Sequence, residues 1–442
     1  MWGFITCLND ILVPYLKNIF DLNIFQATLV QFAFFGAYFT GSLAYFLYSY
    51  FLGDPINQVG YKKGILFGLL LSAIGCLLFV PASILKMYGL FLFALFILGL
   101  GLTALQITAN PLVTLIGNPH TASSRLNLAQ AFNSFGTTIA PVLGGYFIFE
   151  YFAVNGTITA ENIRTPYLIL AGTFLLVMVI IGFSHIPSYR SGEVGERGLT
   201  VLKFGQLRWG IPAIFFYVGG EVAIGSLLIN YMGQADVAGL KEVVASKYLA
   251  FYWGGAMIGR FLGAVNISDI PWLKKLVYSV VIAVGSFGLV FFTAGLSWTD
   301  TWPYAVYVLL NFLMSFLVGN RPDRILSLFS LINVILIALA LSGIAGPIWP
   351  LLAIGLFNSI MWSNIFSMAI QQLSVYTSQG SSLLVMGVLG GALLPSAQGY
   401  VAHHYGYSIS FLIPAVCYLY LFAYGIMYQR WMKESPDKSL GN

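Results

Sequence analysis

The sequence predicts an all-α membrane protein, a bundle of about fourteen transmembrane helices, and three observations carry that reading. Of the 442 residues, 59% are hydrophobic and only 8% are charged, with a mean hydropathy of +0.85. A soluble domain carries roughly a quarter of its residues as Asp, Glu, Lys or Arg, so lipid must be the solvent for most of this surface. The apolar stretches run for about 20 residues or more without the alternation of a β-barrel, which is the helical signature. The basic residues gather in alternate loops, as a polytopic topology requires.

Taken in order, the apolar runs predict helices near 1–21, 26–52, 63–84, 88–116, 124–152 and 166–186. They are separated by Asp21 to Asn23, by Gly53-Asp54-Pro55, by Lys86, by Gly117-Asn118-Pro119 and by the polar stretch ending at Arg164. Turn-forming and charged residues of this kind punctuate helices. A longer polar segment, 187–207, contains Arg190, Glu193, Glu196, Arg197 and Lys203 and divides the chain as a central loop. Beyond it come helices near 208–233, 246–267, 272–297, 302–318, 323–343, 347–370, 379–402 and 407–429. The expected organisation is a six-helix bundle at 1–186, a cytoplasmic loop at 187–207, a second bundle at 208–430 and a tail at 431–442. Glycines and prolines inside these runs are compatible with membrane helices, where neighbouring groups re-satisfy freed backbone atoms.

With the N-terminus inside, fourteen of the twenty Lys and Arg residues fall on the cytoplasmic side and five outside, leaving Arg260 within a helix. Both termini are therefore expected in the cytoplasm of a bacterial inner membrane. The net charge of +5 reflects this topology and not nucleic-acid binding. Cys7, Cys76 and Cys417 lie within apolar runs without metal-ligand spacing and read as packing residues. The chain opens already apolar at Met1-Trp2-Gly3-Phe4, with no cleavable leader and no basic flank, so a truncated or misassigned start is expected.

Two acids stand inside predicted spans. Asp10 precedes Asp21, at the outer end of its helix, by about 16 Å at 1.5 Å per residue, which is mid-bilayer. Glu221 lies near the centre of its own helix. A charge at that depth must be paired, hydrated or protonated, and it normally faces a polar path. A proton or a sodium ion would serve either acid, and helix packing by hydrogen bonding is the competing reading. Arg260 reads as a helix-end anchor that snorkels to the interface. Mid-helix amides form the second unusual class. Gln106 and Asn110 share a helix face four residues apart, Gln130 and Asn133 form another pair near Asn127, and Asn358 accompanies Trp362 and Asn364. Amides offer donors and acceptors suited to sugar hydroxyls, and an aromatic ring packs on the apolar side of a pyranose. Amides also join helices to each other in lipid. No phosphate loop, helical zinc pair or nucleophile elbow is present in the sequence, so no enzyme is indicated.

The stretch Arg125-Leu-Asn-Leu-Ala-Gln-Ala-Phe-Asn-Ser-Phe-Gly136, with Thr108-Ala-Asn-Pro-Leu-Val-Thr114 before it, resembles the fucose/glucose/galactose permease family of the major facilitator superfamily. Leu8-Asn9-Asp10-Ile11-Leu12, Gln31-Phe-Ala-Phe-Phe-Gly-Ala-Tyr38, Gly259-Arg-Phe261 and Gly355-Leu-Phe-Asn-Ser-Ile360 extend the resemblance over nearly the whole chain. It implies the major facilitator fold, two six-helix bundles working by alternating access, and cation-coupled monosaccharide uptake with no cofactor beyond H+ or Na+. Asp10 matches the family's coupling aspartate, with Asn9 beside it. Gln130 and Asn133 match cavity residues, and Trp362 falls where fucose permeases have a sugar-adjacent tyrosine. Four departures accompany the match. Gln106 replaces a glutamate, and Glu221 replaces a glutamine, an exchange closer to the glucose/galactose and N-acetylglucosamine subgroup. The loop Asn57-Gln-Val-Gly60-Tyr-Lys62-Lys63 lacks the aspartate of the general superfamily motif. Residues 266–320 add an extra helix pair between the expected eighth and ninth helices, with Trp272, Trp298 and Trp302 as interfacial anchors and peripheral packing as the expectation.

The expected function is cation–sugar symport, with ion coupling at Asp10 and Glu221 and sugar contacts from Asn9, Gln106, Asn110, Gln130, Asn133, Asn358 and Trp362. The expected partners are a small sugar and membrane lipid, with no nucleic acid and a monomeric working state. A drug or metabolite exporter on the same fold is the alternative, and the amide set argues against its wide apolar cavity. A membrane sensor would need a soluble output region, and the longest loop here has only about 20 residues.

Overall fold

The structure is a computed structural model that describes residues 3–6, 8, 12, 16, 19–145, 161, 163–186, 198–343 and 347–434. The first predicted span lies largely outside the described residues, and so do Asn9 and Asp10. From there the chain runs through α1 (Ile24–Leu52), the short α2 (Pro55–Val59), α3 (Tyr61–Leu85), α4 (Tyr88–Leu115), α5 (Ala122–Gly145) and α6 (Arg164–Phe183). The second half comprises α7 (Gly205–Met232), α8 (Glu242–Asn266), α9 (Trp272–Ala294), α10 (Trp298–Val318) and α11 (Pro322–Ser342). It ends with α12 (Ile348–Asn358), α13 (Met361–Ile370), α14 (Thr377–Met386), α15 (Gly390–Tyr405), α16 (Tyr407–Ser410) and α17 (Leu412–Glu434).

Local chemistry sets the boundaries. Asn23 caps α1 reciprocally: its side chain accepts from the Gln26 amide at 2.8 Å, while the Gln26 side chain accepts from the Asn23 amide at 3.0 Å. Such a box satisfies two donors that a helix start leaves orphaned. Asp54 caps α2 by accepting from the Ile56 amide, with Pro55 at the first helical position. Among the described residues, 11 helical segments are long and apolar enough to cross a bilayer. The two long helices outside that set are α5 and α8, whose Ser, Asn and Gly content and Arg260 lower their hydropathy. Three of the crossing segments are not single α-helices, the last being α16 with α17, which part at Phe411. The predicted 347–370 helix breaks at Ser359-Ile360 between α12 and α13, and a 3-10 turn at Gly387–Leu389 separates α14 from α15.

The chain divides into two compact units, 1–112 with 136–201 and 372–389 in one, and 113–135 with 202–371 and 390–442 in the other. In the first, α3 packs on α6, and its glycines Gly68 and Gly75 lie against Leu105 and Leu98 of α4. A Cβ at Gly75 would lie 2.4 Å from the Leu98 amide nitrogen, so only glycine lets α3 and α4 approach this closely. Small residues at such crossings replace the hydrophobic drive that lipid cannot provide. Phe79 stacks on Tyr167 at 3.6 Å to seat α6. In the second unit, α7 packs on α15 and α17, α11 on α17, and α12 on α8. The inserted pair, α9 and α10, lies against α8, with α10 also reaching α12. Trp272, Trp298 and Trp302 are exposed, as interfacial anchors would be.

Candidate functional site

A buried polar cluster in the second unit centres on Glu221 of α7. Tyr217, one turn earlier, donates its hydroxyl to Glu221 Oε1 at 2.8 Å. Arg260 of α8 pairs with the same oxygen at 3.4 Å, and the two side chains are only 11% and 12% exposed. The guanidinium is used on all sides. Nη2 also donates to the Tyr217 hydroxyl at 3.2 Å, Nε donates to the Ser359 carbonyl at 2.8 Å, and Nη1 bonds the Ser134 hydroxyl of α5. Arg260 is therefore buried and fully engaged, and the expectation of a snorkelling anchor is corrected. Burial of an arginine is tolerated because a carboxylate and several acceptors meet its planar fork.

The break after α12 makes part of this arrangement possible. An unbroken helix would use the Ser359 carbonyl internally, whereas the turn at Ser359-Ile360 leaves it free to accept from Arg260. Ser359 Oγ itself donates to the Leu356 carbonyl at 2.6 Å. Gly259 and Gly355 bring α8 and α12 together: a Cβ at Gly355 would lie 2.0 Å from the Tyr252 carbonyl, and one at Gly259 2.5 Å from the Leu356 carbonyl. Beside the charges, Tyr252 donates to the Glu221 main-chain carbonyl at 2.8 Å. Asn358 Nδ2 donates to the hydroxyls of Tyr252 at 3.2 Å and Tyr418 at 3.3 Å. Its Oδ1 is buried and has no partner among the described residues. Trp362, nearly buried, stacks on Phe366 with ring centroids 5.0 Å apart.

The other predicted residues fall as follows. Gln130 is buried and Asn133 half-buried on α5, in the same unit as Glu221, Asn358 and Trp362. This part of α5 is held by polar contacts to neighbours in its unit. Ser123 bonds Ser367 at 2.5 Å, Ser124 donates to the Ala264 carbonyl at 2.6 Å, and Asn127 donates to Asn364 at 3.4 Å. Gln130 and Ser134, four apart, share one helix face, so Gln130 sits one turn from the Arg260 contact. Gln106 and Asn110 lie on α4 in the first unit. Both are buried, Gln106 bonds Tyr38 of α1, and Asn110 Nδ2 has no partner among the described residues. Asn9 and Asp10 lie outside the described residues. Sequence reasoning missed Tyr217, Tyr252 and Tyr418, because a tyrosine in an apolar run looks like packing. The spacing of Tyr217 and Glu221 was the readable signal.

The profile of the Major Facilitator Superfamily matches residues 3–320. This chain belongs to that superfamily. As a major facilitator it is 40% identical over 432 residues to a glucose/galactose transporter of Brucella abortus, covering 97% of this chain and 91% of the relative. It is 30% identical over 452 residues to the L-fucose-proton symporter of Escherichia coli, covering 96% and 90%. Among solved structures, the major facilitator transporter FucP in the outward conformation superposes with a TM-score of 0.74 at 28% identity, over 97% of this chain and 95% of that one. The fold and superfamily expected from Arg125–Gly136 and the other stretches hold.

Proposed function

We propose that this protein is a secondary active transporter that carries a monosaccharide into the cell together with a proton or a sodium ion, by alternating access. Glucose, galactose, N-acetylglucosamine and fucose define the sugar class. The reading places the protein as a monomer in a bacterial inner membrane with both termini cytoplasmic, and divides it into bundles at 1–186 and 208–430 joined by the loop at 187–207. The names of the relatives support the sugar and the symport. The observation that carries the reading is the Glu221–Arg260 pair, buried mid-span and ringed by Tyr217, Tyr252 and Asn358.

A paired carboxylate is a natural coupling element. While Arg260 occupies Glu221 the pair is neutral overall; a cation that takes the carboxylate frees the guanidinium for another acceptor. Asp10 is the second coupling acid of the proposal. The sugar is bound by Asn9, Gln106, Asn110, Gln130, Asn133, Asn358 and Trp362. The orphaned amide atoms of Asn110 and Asn358 support this, since a buried polar atom without a partner costs roughly 1–3 kcal/mol and a hydroxyl would satisfy it. Coupling then requires the cation to change the affinity for sugar or the balance between access states. Uptake of radiolabelled sugar into proteoliposomes, under separately imposed proton and sodium gradients and with a panel of competing sugars, tests the reading. Accumulation of one panel sugar driven by one of the two gradients is expected. Absence of sugar accumulation under both gradients would overturn it.

A further inference from the structure

We propose that the inserted helix pair is a positioning element of this site, acting through Asn311 and Tyr304 of α10 on the main chain of α12 and α8. On α10 the buried residues are Thr301, Tyr304, Val308, Asn311 and Ser315, spaced three and four apart on one face. On the opposite side Trp302, Val306, Leu309, Leu313 and Leu317 are apolar and exposed. This is the reverse of a soluble amphipathic helix. In lipid, nothing hydrophobic drives such a helix onto its neighbours, so close packing and hydrogen bonds must dock it.

Both hydrogen bonds that α10 sends inward end on main-chain carbonyls next to site residues. The Tyr304 hydroxyl donates to the Phe251 carbonyl at 2.6 Å, one residue before Tyr252. Asn311 Nδ2 donates to the Leu356 carbonyl at 3.1 Å, two residues before Asn358. The same Leu356 carbonyl accepts from Ser359 Oγ at 2.6 Å, so two side chains converge on the first atoms of the α12–α13 break. The contacts are close enough to transmit position. A Cβ at Gly255 of α8 would lie 2.1 Å from the Tyr304 hydroxyl and 3.1 Å from the Leu356 amide nitrogen, so α8, α10 and α12 meet around one glycine. At its other end the pair is tied to the foot of α8, where Ser279 of α9 donates to Asn266 Oδ1 at 3.0 Å and Lys275 to the Asn266 carbonyl at 3.0 Å.

Within this frame the pair sets the α12–α13 turn that presents Asn358, the Ser359 carbonyl used by Arg260, and Trp362. The expectation of peripheral packing is thereby sharpened: α10 is peripheral by exposure and engaged with the site through Tyr304 and Asn311. This inference rests on the transport reading for its functional consequence and on geometry alone for its structural one.

The test compares Tyr304→Phe and Asn311→Leu with Leu313→Ala, a lipid-facing control on the same helix. Hydrogen exchange of residues 355–364 in the solubilised full chain is measured for each, alongside the kinetics of sugar uptake. The expected result is faster exchange in 355–364 and a half-saturating sugar concentration raised roughly three- to tenfold at near-normal maximal rate for the first two variants. The control should match the unaltered protein in both. Exchange in 355–364 unchanged in both Tyr304→Phe and Asn311→Leu overturns the proposal. It is overturned equally if the unaltered protein transports sugar and both variants keep its half-saturation within twofold. Should the unaltered protein transport no panel sugar, the transport reading fails, and the exchange data alone decide the structural claim. Tyr304→Phe removes a single oxygen and keeps the ring packed on Phe251, so it guards against a mere folding defect.

Discussion

Glu221 and Arg260 place opposite charges in a region where neither could stand alone. Removing one partner of a buried pair leaves an uncompensated charge, at roughly 3–5 kcal/mol, whereas replacing both by neutral groups is often close to neutral in stability. Arg260→Met is therefore expected to lower the thermal midpoint of the solubilised protein sharply, and Glu221→Gln less so, since the amide can still accept from Tyr217 and Arg260. The double variant Glu221→Gln/Arg260→Met should recover much of the midpoint lost by Arg260→Met. A double variant no more stable than Arg260→Met would argue that the guanidinium holds the fold through Ser359 and Ser134 and not through the pair. Transport gives the complementary readout: the stable double variant should lose gradient-driven accumulation. Glu221 was legible in the sequence because a carboxylate inside a 28-residue apolar helix must be paired, hydrated or protonated, even where its role is to bond helices together. The role of Arg260 was not, because position along a helix does not reveal which neighbour faces it. Gly259 lets α8 approach Ser359 and Leu356 closely, which puts the neighbouring guanidinium within reach of the Ser359 carbonyl.

Helix crossings and helix breaks decide how these residues meet. The lengths of the apolar runs gave nearly every helix to within a few residues, since hydropathy and turn residues act locally. The interruption at Ser359-Ile360 was not readable, because no proline or glycine marks it. It is stabilised from outside, by Asn311 on the Leu356 carbonyl and by Arg260 on the Ser359 carbonyl. The glycine contacts of α8 with α12 are the vulnerable elements. Gly355→Ala would drive a methyl carbon into the Tyr252 carbonyl, a backbone atom that cannot rotate away. Overpacking of this kind typically costs about 1–3 kcal/mol. The separation of α8 from α12 should also disturb the Tyr252–Asn358 bond. The expected outcome is a lower thermal midpoint with weakened sugar affinity. Gly285→Ala on α9, where an added Cβ meets nothing within 4 Å, should change neither and provides the control. Equal midpoints for Gly355→Ala and Gly285→Ala would show that the crossing is not tight.

At the scale of the whole molecule, the two compact units do not follow the order of the chain: residues 372–389 join the first unit and 113–135 the second. The sequence offered no sign of this, because hydropathy and turn residues act locally and do not say that α14 packs on α1, across more than 300 residues of chain. In the first unit Asn57 donates to the Val375 carbonyl at 2.8 Å, and Ser378 bonds the Tyr61 hydroxyl at 3.0 Å. Side-chain hydrogen bonds between membrane helices average only about 0.6 kcal/mol each, so these two bonds are a weak supplement to the packing at this joint. Asp54 gives it a pH dependence. Its Oδ1 accepts from Tyr45 at 2.5 Å and from the Ile56 amide at 2.9 Å, while Oδ2 is buried with no close hydrogen bond among the described residues. The nearby Lys62 is directed elsewhere, to the carbonyls of Gly182 and Ser184. Burial therefore dominates and raises the Asp54 carboxyl above the usual aspartate range, against the opposing pull of Tyr45 and of backbone donors at Ile56, Gln379 and Asn57. A raised carboxyl stabilises the folded arrangement while protonated. That contribution is complete below the ordinary aspartate range and is lost as pH rises through the raised value. Asp54→Asn mimics the protonated form at every pH. Its thermal midpoint relative to the unaltered protein is expected to climb as pH is taken from about 4 to about 8. A difference that stays flat or falls over that range would mean that Asp54 is held as a carboxylate by its donors, and that the joint between 372–389 and the Asp54 loop does not respond to pH.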